Sequence, residues 1–419
     1  MSNFKKMPGT QDILPGTVEK WQFVEQTARE LCRQYNFQEI RTPIFEATEL
    51  FQRGVGETTD IVEKEMYTFL DRGERSNTLR PEGTAGVVRS YVENKMYGEP
   101  DISKLYYVGP MFRYERAQAG RYRQFHQFGV EAIGSVDPAL DAEVIALGYS
   151  IYTKIGLKNV RVELNSVGTP AVRQAFREKL LAFLNPMRDT LCKDCQNRID
   201  KNPLRVLDCK VDQAKFDHAP SILDSLDEEC QTHFELVKAY LTDMNIPFEI
   251  NHRLVRGLDY YTHTAFEYKA EGIGAIDTIG GGGRYNGLVS EIGGPDQPGV
   301  GFGLGLERAV MILEHQQVAV PNLSALDVYI IALGDEAKRP VNKLIYELRQ
   351  AGVKAEQDYQ NRKLKAQMKS ADRLNVKYTA IVGENELVTE SVVLKEMATG
   401  EQKNVKFSEL AAVLLSSRA

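Results

Sequence analysis

The sequence predicts an α+β protein in which an antiparallel sheet is flanked by helices, interrupted by a helical insertion and followed by a small α/β domain. Three observations carry this. Between Lys104 and Gly134 two strand-like runs, Leu105 to Glu115 and Arg123 to Gly134, flank a polar, glycine-containing link and read as a long-looped antiparallel hairpin. Residues 170 to 248 turn helix-rich, charged and cysteine-bearing between breaks at Gly168-Thr169-Pro170 and Ile246-Pro247, the mark of an insertion. Beyond residue 326, strand and helix patterns alternate, as a separate α/β domain requires.

In chain order, Val18, Trp21, Val24, Ala28, Leu31, Cys32 and Tyr35 recur at steps of three and four behind Thr17 as N-cap, so residues 17 to 36 form an amphipathic helix. It runs into a β-like stretch, Phe37 to Glu46, in which Pro43 lacks a ladder donor and marks a strand end or edge. After the hairpin, Asp141 to Ile155 reads as a helix and Val160 to Asn165 as an alternating strand. Past the insertion the β pattern resumes through Leu254 to Glu267, which reads as buried strand, and through Ala275 to Tyr285. Gly299 to Arg308 then leads into a helix ending near Glu314. A linker at Pro321 to Ala325 divides a main domain, residues 1–325, from a last domain, residues 326–419. That domain reads strand (Val328 to Ala332), helix (Lys338 to Gln350), β-like run around Val353, helix (Arg362 to Leu374) and strand (Tyr378 to Val382).

The length of 419 residues allows two to three domains with a large core. No apolar run of signal-peptide or membrane-spanning length is present, so a cytoplasmic protein is expected. The net charge of −6 argues against a protein that coats nucleic acid. The balance is uneven: residues 327 to 419 carry 15 Lys+Arg against 13 Asp+Glu, a net +2, which leaves −8 for the rest. A polyanionic partner would therefore be met by local patches.

Cys192, Cys195, Cys209 and Cys230 fall in one short region, and the first two form a Cys-x-x-Cys. A second such knuckle is absent, so a zinc site would need Cys209 with Cys230, His218 or His233. Reduced structural thiols and no metal are the expectation for a cytoplasmic chain. Gly301 to Leu306 stops one glycine short of GxGxxG and no GxxxxGK[ST] occurs, which leaves a dinucleotide fold and a P-loop unsupported.

Chemistry concentrates in two places. The hairpin carries Phe112-Arg113-Tyr114-Glu115, then Arg121, Arg123 and Phe125, putting cations, a carboxylate and an aromatic face on adjacent strands; the bland alternative is a surface hairpin laced with salt bridges. The stretch Arg256-Gly257-Leu258-Asp259-Tyr260-Tyr261 crowds a guanidinium, a carboxylate and two phenols, and by itself would be an ordinary Arg–Asp pair. FRxE, a loop, and Arg121 to Gln127 together resemble motif 2 of the class II aminoacyl-tRNA synthetases, Gly303 to Arg308 their motif 3, and the helix, strand and Pro43 their motif 1. Leu254 to Glu267, Thr78 to Thr84 and Gly282 to Tyr285 resemble the signatures of the histidyl-tRNA synthetases within that class, and the last domain resembles their anticodon-binding domain. The similarity spans nearly the whole chain.

That resemblance implies a class II antiparallel sheet, histidine and ATP joined to histidyl-adenylate with release of pyrophosphate, and transfer of histidine to the 3' end of its tRNA. Mg2+ would accompany ATP, and the protein would be a homodimer with the Trp21 helix and Pro43 strand in the interface. It further implies that Arg113 and Arg256 flank the α-phosphate, that Arg121 and Arg308 hold the outer phosphates, and that Phe125 and Arg308 sandwich adenine with Glu115 near its amino group. Histidine's α-amino group would meet Glu82 and Thr84 beside Gly83, with Gln127, Arg113 and Arg256 near its backbone. The imidazole would lie between Glu131 and Tyr261, with Tyr260 shaping the wall and the glycines at 281 to 283 leaving room for the ring. Asp259 has no assigned role beyond orienting Arg256.

In the last domain Arg362, Lys365, Lys369 and Arg373 fall on one helical stripe, with Leu364, Met368, Ala371 and Leu374 on another. A solvated face is the usual reading; the resemblance implies tRNA phosphate contacts. The rival function is a histidine-binding synthetase paralogue acting as a regulatory subunit of ATP phosphoribosyltransferase. That paralogue generally lacks the last domain and degrades the arginines, whereas Arg113, Arg256 and Arg308 are all present here.

Overall fold

The computed structural model describes residues 4–56, 59–273, 276–321 and 325–417. Most of the linker read at Pro321 to Ala325, and the Ala275 start of its β run, lie outside those residues. The chain divides into two compact units, Met1–Val320 and Pro321–Ala419.

The first unit is built on an eight-stranded sheet. Its order is Gln38–Glu39, Ser103–Phe112, Gln124–Ile133, Gly299–Gly305, Ile276–Arg284, Thr262–Ile273, Arg161–Ser166 and Phe248–Ile250. Only the outermost strand on each side pairs parallel; the six between are antiparallel. The expected hairpin supplies its second and third strands, paired without a break from Ser103↔Ile133 to Phe112↔Gln124.

One face of this sheet is covered by helices, because each presents an apolar stripe to it. Val18–Gln34 buries Trp21, Val24, Ala28, Leu31 and Cys32. Pro138–Lys154, started by Pro138 at its first turn and by Asp137, whose carboxylate accepts from the Ala139 N–H at 2.9 Å, buries nearly its whole apolar content. Burial of Trp21, with its ring edge-on to His126 at 5.2 Å, places the apolar side of the first helix inside the chain's own core.

Two spans differ from their β-like composition. The run Phe37 to Glu46 splits at Pro43 into Gln38–Glu39 of the main sheet and Phe45–Ala47 of a separate three-stranded sheet, with the Arg80 guanidinium donating to the carbonyl of Thr42 at 3.2 Å in the gap. Leu254 to Tyr261 is a loop, and the strand starts only at Thr262. Its backbone is held by tertiary bonds in place of a ladder: the Asp259 N–H donates to Val55 O at 3.1 Å and the Leu254 N–H to Asn251 O at 2.9 Å.

The insertion folds around its own core of Val172, Phe176, Leu180, Ile199, Val206 and Phe216. Its helix Glu228–Asp243 is divided between two cores, since Cys230 joins the insertion while Phe234, Val237 and Leu241 pack into the main one.

The second unit has a five-stranded sheet ordered Ala355–Gln357, Val328–Ala332, Tyr378–Val382, Ser391–Glu396 and Gln402–Lys406, parallel through the first three and antiparallel after. The closing hairpin and the helix Phe407–Ser416 add elements not expected from the sequence. Among the described residues no helix is long and apolar enough to cross a membrane.

A fully buried ion pair ties three elements of the first unit together. Arg284, at the end of its strand, contacts Asp141 of the Pro138–Lys154 helix through Nε and Nη2 and donates from Nη1 to Ser135 O at 2.7 Å, while His233 approaches Asp141 at 3.3 Å. Burial would raise the Asp141 carboxyl, but His233 and Arg284 hold it below its ordinary value. Removing one partner strands a buried charge, so Arg284→Met should cost about 3–5 kcal/mol in urea unfolding. A loss under about 1 kcal/mol would show that the pair contributes little.

Candidate active site

Two adjoining cavities open on the sheet, of about 240 Å³ and about 80 Å³, and Arg113, Gln127, Arg256, Gly281 and Gly303 line both. The larger is walled by cations. Arg113, just past the first hairpin strand, donates from Nε to Pro81 O at 2.8 Å and lies over the Phe125 ring at 5.2 Å. Arg308, in the helix Leu306–His315, donates to Gly120 O at 3.2 Å and Thr278 O at 2.8 Å, so it is held by carbonyls and no carboxylate cancels its charge through these bonds. Burial and the nearby Arg121 lower the Arg308 guanidinium below its ordinary value. Arg121 reaches Glu115 at 3.4 Å.

Arg256 enters this cavity from the loop. Its Nη1 donates to Glu267 Oε1 at 2.6 Å, and Glu267 Oε2 accepts from the Thr278 hydroxyl at 3.0 Å with Lys269 Nζ at 3.2 Å. The orienting role expected of Asp259 thus falls to Glu267, a residue with no assigned role in the sequence motif. Asp259 Oδ1 instead accepts from Asn202 of the insertion at 3.0 Å.

The smaller cavity is walled by carboxylates and phenols. Glu131 is 1% exposed and accepts from the hydroxyls of Thr84 at 2.7 Å and Tyr285 at 2.6 Å. Glu82 accepts from the N–H groups of Thr84 and Ala85, both at 2.8 Å, and so caps the helix Thr84–Glu93. Thr84 therefore supports Glu131 directly. Tyr260 and Tyr261 pack at 4.6 Å between ring centres, and the Arg256 guanidinium lies 5.7 Å from the Tyr261 ring. Tyr107 and Tyr285 complete the wall. Tyr285 falls in the Gly282 to Tyr285 signature without a role being given to it there, and Tyr107 was not singled out because an aromatic on a strand reads as core; in the structure it pairs with Gly129 across the hairpin.

Two of the glycines, Gly281 and Gly283, face side chains of the protein itself. A Cβ at Gly281 would lie 2.7 Å from Arg256 Nη1, and one at Gly283 2.7 Å from the Tyr261 ring. They make room for the protein's own Arg256 and Tyr261, which lie down on the sheet. At Gly301 a Cβ would fall 2.1 Å from Glu131 Oε2, so this glycine admits the carboxylate.

In the second unit the expected cationic stripe is only partly present. Arg362 precedes the helix Leu364–Arg373 and spends its guanidinium on Asp358 and on Ser370 Oγ at 2.7 Å. Lys365, Lys369 and Arg373 are exposed on the helix. Its buried side is Gln367, Ser370 and Ala371, whereas Leu364 and Leu374 are exposed; Gln367 can be buried because its side-chain amide donates to Arg362 O at 2.6 Å.

Burial pushes the Glu131 carboxyl up to about 8; the Tyr285 and Thr84 hydroxyls pull it down and Glu82 pushes it up. A carboxyl that keeps its proton longer in the folded state makes stability fall as pH rises from the unfolded value of about 4.5 towards 8. Glu131→Gln should flatten that slope in denaturant midpoints measured across this window. An unchanged slope would mean that Glu131 ionises normally.

The family described as Histidyl-tRNA synthetase matches residues 9–309, and that described as Anticodon binding domain matches residues 327–417. The chain is 60% identical over 414 residues to the Histidine–tRNA ligase of Bacillus cytotoxicus, covering 97% of each. It is 60% identical over 405 residues to that of a Geobacillus species, covering 95% of each. The apo histidyl-tRNA synthetase of S. aureus matches with a TM-score of 0.84 at 46% identity, over 98% of this chain and 100% of that one. A Bacillus halodurans chain described as an ATP phosphoribosyltransferase regulatory subunit/histidyl-tRNA synthetase shares the fold at 20% identity, with a TM-score of 0.64 over 91% of this chain and 98% of that one.

Proposed function

Because the chain belongs to the histidyl-tRNA synthetase family and is a histidine–tRNA ligase, not the regulatory paralogue, we propose a division of labour between its two cavities. The reaction joins the histidine carboxylate to the α-phosphorus of ATP with loss of pyrophosphate, and a terminal ribose hydroxyl of tRNA then takes the histidyl group with loss of AMP. The observation that carries the assignment is the opposite lining of two cavities that share Arg113 and Arg256.

The first step brings two anions together, so positioning and charge neutralisation dominate. Arg113 and Arg256, at the junction, would flank the α-phosphate as it meets the carboxylate. Arg121 and Arg308 would hold the outer phosphates, with Phe125 and Arg308 enclosing adenine and Glu115 near its amino group. Mg2+ would arrive with ATP and neutralise phosphate charge. Of the carboxylates lining the cavity, Glu307 is held by His126, Glu267 by Arg256 and Glu115 by Arg121, so phosphate oxygens and water would supply most of that ion's ligands.

In the smaller cavity Glu82 would draw the α-ammonium group of histidine, with Gln127 along its backbone and Gly83 leaving the approach open. Glu131 and Tyr261 would read the two ring nitrogens, one needing an acceptor and the other a donor. Tyr260 would close the wall. Two carboxylates raised by mutual burial suit a cationic ligand that relieves both.

Lys365, Lys369 and Arg373 would meet tRNA phosphates, and Arg362 would brace that helix. In a homodimer the exposed apolar residues Ile44, Phe45, Phe69 and Leu70 around the small sheet beside Pro43 would join the Trp21 helix and the Pro43 strand in the interface. Free thiols at all five cysteines suit a cytoplasmic setting.

Histidine-dependent exchange of pyrophosphate into ATP tests the reading. Glu131→Gln should raise the KM for histidine by about ten- to a hundredfold, through loss of a charged hydrogen bond, and leave the KM for ATP alone. An unchanged histidine KM would remove Glu131 from ring recognition.

A further inference from the structure

The insertion holds a cluster that the aminoacylation chemistry does not use. The thiol sulfurs of Cys192, Cys195 and Cys209 and a carboxylate oxygen of Asp212 all lie within 4.8 Å of one another. Cys192 Sγ is 3.7 Å from Cys209 Sγ, and Cys209 Sγ is 3.9 Å from Asp212 Oδ2. A zinc ion bound at about 2.3 Å from each sulfur in a tetrahedron needs sulfur–sulfur edges of about 3.8 Å, whereas a disulfide needs about 2.05 Å. The spacing fits the first and not the second.

The local backbone repeats a metal-binding design. Cys192-Lys193-Asp194-Cys195 is one knuckle, and Cys209-Lys210-Val211-Asp212 is a second with the same spacing and Asp in place of the last Cys. The knuckles are joined directly, since the Cys192 N–H donates to Asp212 Oδ2 at 2.8 Å, and Lys215 holds Asp212 Oδ1 at 2.8 Å. Asp212 is 3% exposed and Cys195 fully buried. Of the other ligands that spacing suggested, His233 bonds Asp141, and neither Cys230 nor His218 belongs to the converging group among the described residues.

We propose that Cys192, Cys195, Cys209 and Asp212 form a closed structural site for one Zn2+ per chain. Three thiols lose their protons to solvent as the ion binds, and no bond to water is left for catalysis. The site anchors the start of the helix Lys193–Lys201. Just past its far end Asn202 donates to Asp259 and Arg205 to Gly257 O at 3.3 Å, bracing the active-site loop, while Arg198 reaches Asp60 at 3.0 Å and Lys201 pairs with Glu63 in the neighbouring segment. The metal thereby fixes the platform behind Arg256 to Tyr261 without touching substrate.

Metal analysis of the full-length protein purified under reducing conditions should find about one zinc per chain. Replacing it with Co2+ should give the intense visible absorption of tetrahedral cobalt with thiolate charge-transfer bands. Cys209→Ser and Asp212→Asn should weaken metal retention, and Cys230→Ser should keep it. Substoichiometric zinc together with no cobalt spectrum after adding Co2+ to the reduced wild-type protein would overturn the site, and needs no variant to fold. A Cys192–Cys209 disulfide found by mass mapping of the freshly isolated protein would also overturn it. Loss of metal in Cys230→Ser with retention in Asp212→Asn would overturn this ligand set.

Discussion

Arg256 lies flat on the sheet because Gly281 has no side chain beneath it, and Glu267 from the neighbouring strand fixes its guanidinium at 2.6 Å. Much of the site follows from that placement. The loop from Leu254 to Tyr261 has no ladder to hold it, so its position rests on Arg256 at one end, on the Asp259 N–H bonded to Val55 in the middle and on Tyr261 packed over Gly283 at the other. Lys269 shares the Glu267 carboxylate but is itself paired with Asp277 and Glu163, so the positive charge at the junction of the cavities is carried by Arg113, whose Nε is held by the Pro81 carbonyl. An anionic α-phosphate is what such a junction can hold.

The two cavities share Arg113 and Arg256 and differ in what each adds, Arg121 and Arg308 in the larger and Glu82 and Glu131 in the smaller. Glu82 and Glu131 are both raised by burial, and Glu131 is pushed further by its neighbour. Arg308 is lowered by burial and by Arg121. Hydrogen bonds from Thr84 and Tyr285 keep Glu131 in one orientation.

Much of this was legible in the sequence where local pattern and tertiary structure agree. The hairpin from Ser103 to Ile133 follows from alternation, and Arg113 and Phe125 line one cavity as their places on the hairpin suggested, joined by Arg308, which only the resemblance pointed to. The span Leu254 to Tyr261 was misread as strand because Val, Leu and Tyr favour both strands and buried loops, and the bonds that decide between them come from Val55 and Asn202, far away in sequence. The helix Leu364–Arg373 turns a polar side inward because Gln367 and Ser370 find partners there, which periodicity cannot foresee. Asp212 escaped notice for a related reason: a search for a second Cys-x-x-Cys passes over a carboxylate at the same spacing.

Arg256 is the residue on which the division into phosphate and imidazole functions turns. The most direct test is to measure, for Arg256→Ala, histidine affinity by equilibrium binding and adenylate formation in a single turnover. Histidine binding should change little, while adenylate formation slows by at least about two orders of magnitude, a loss of about 3 kcal/mol of transition-state stabilisation. Equal losses in binding and rate would contradict that division and make Arg256 a residue of the histidine pocket.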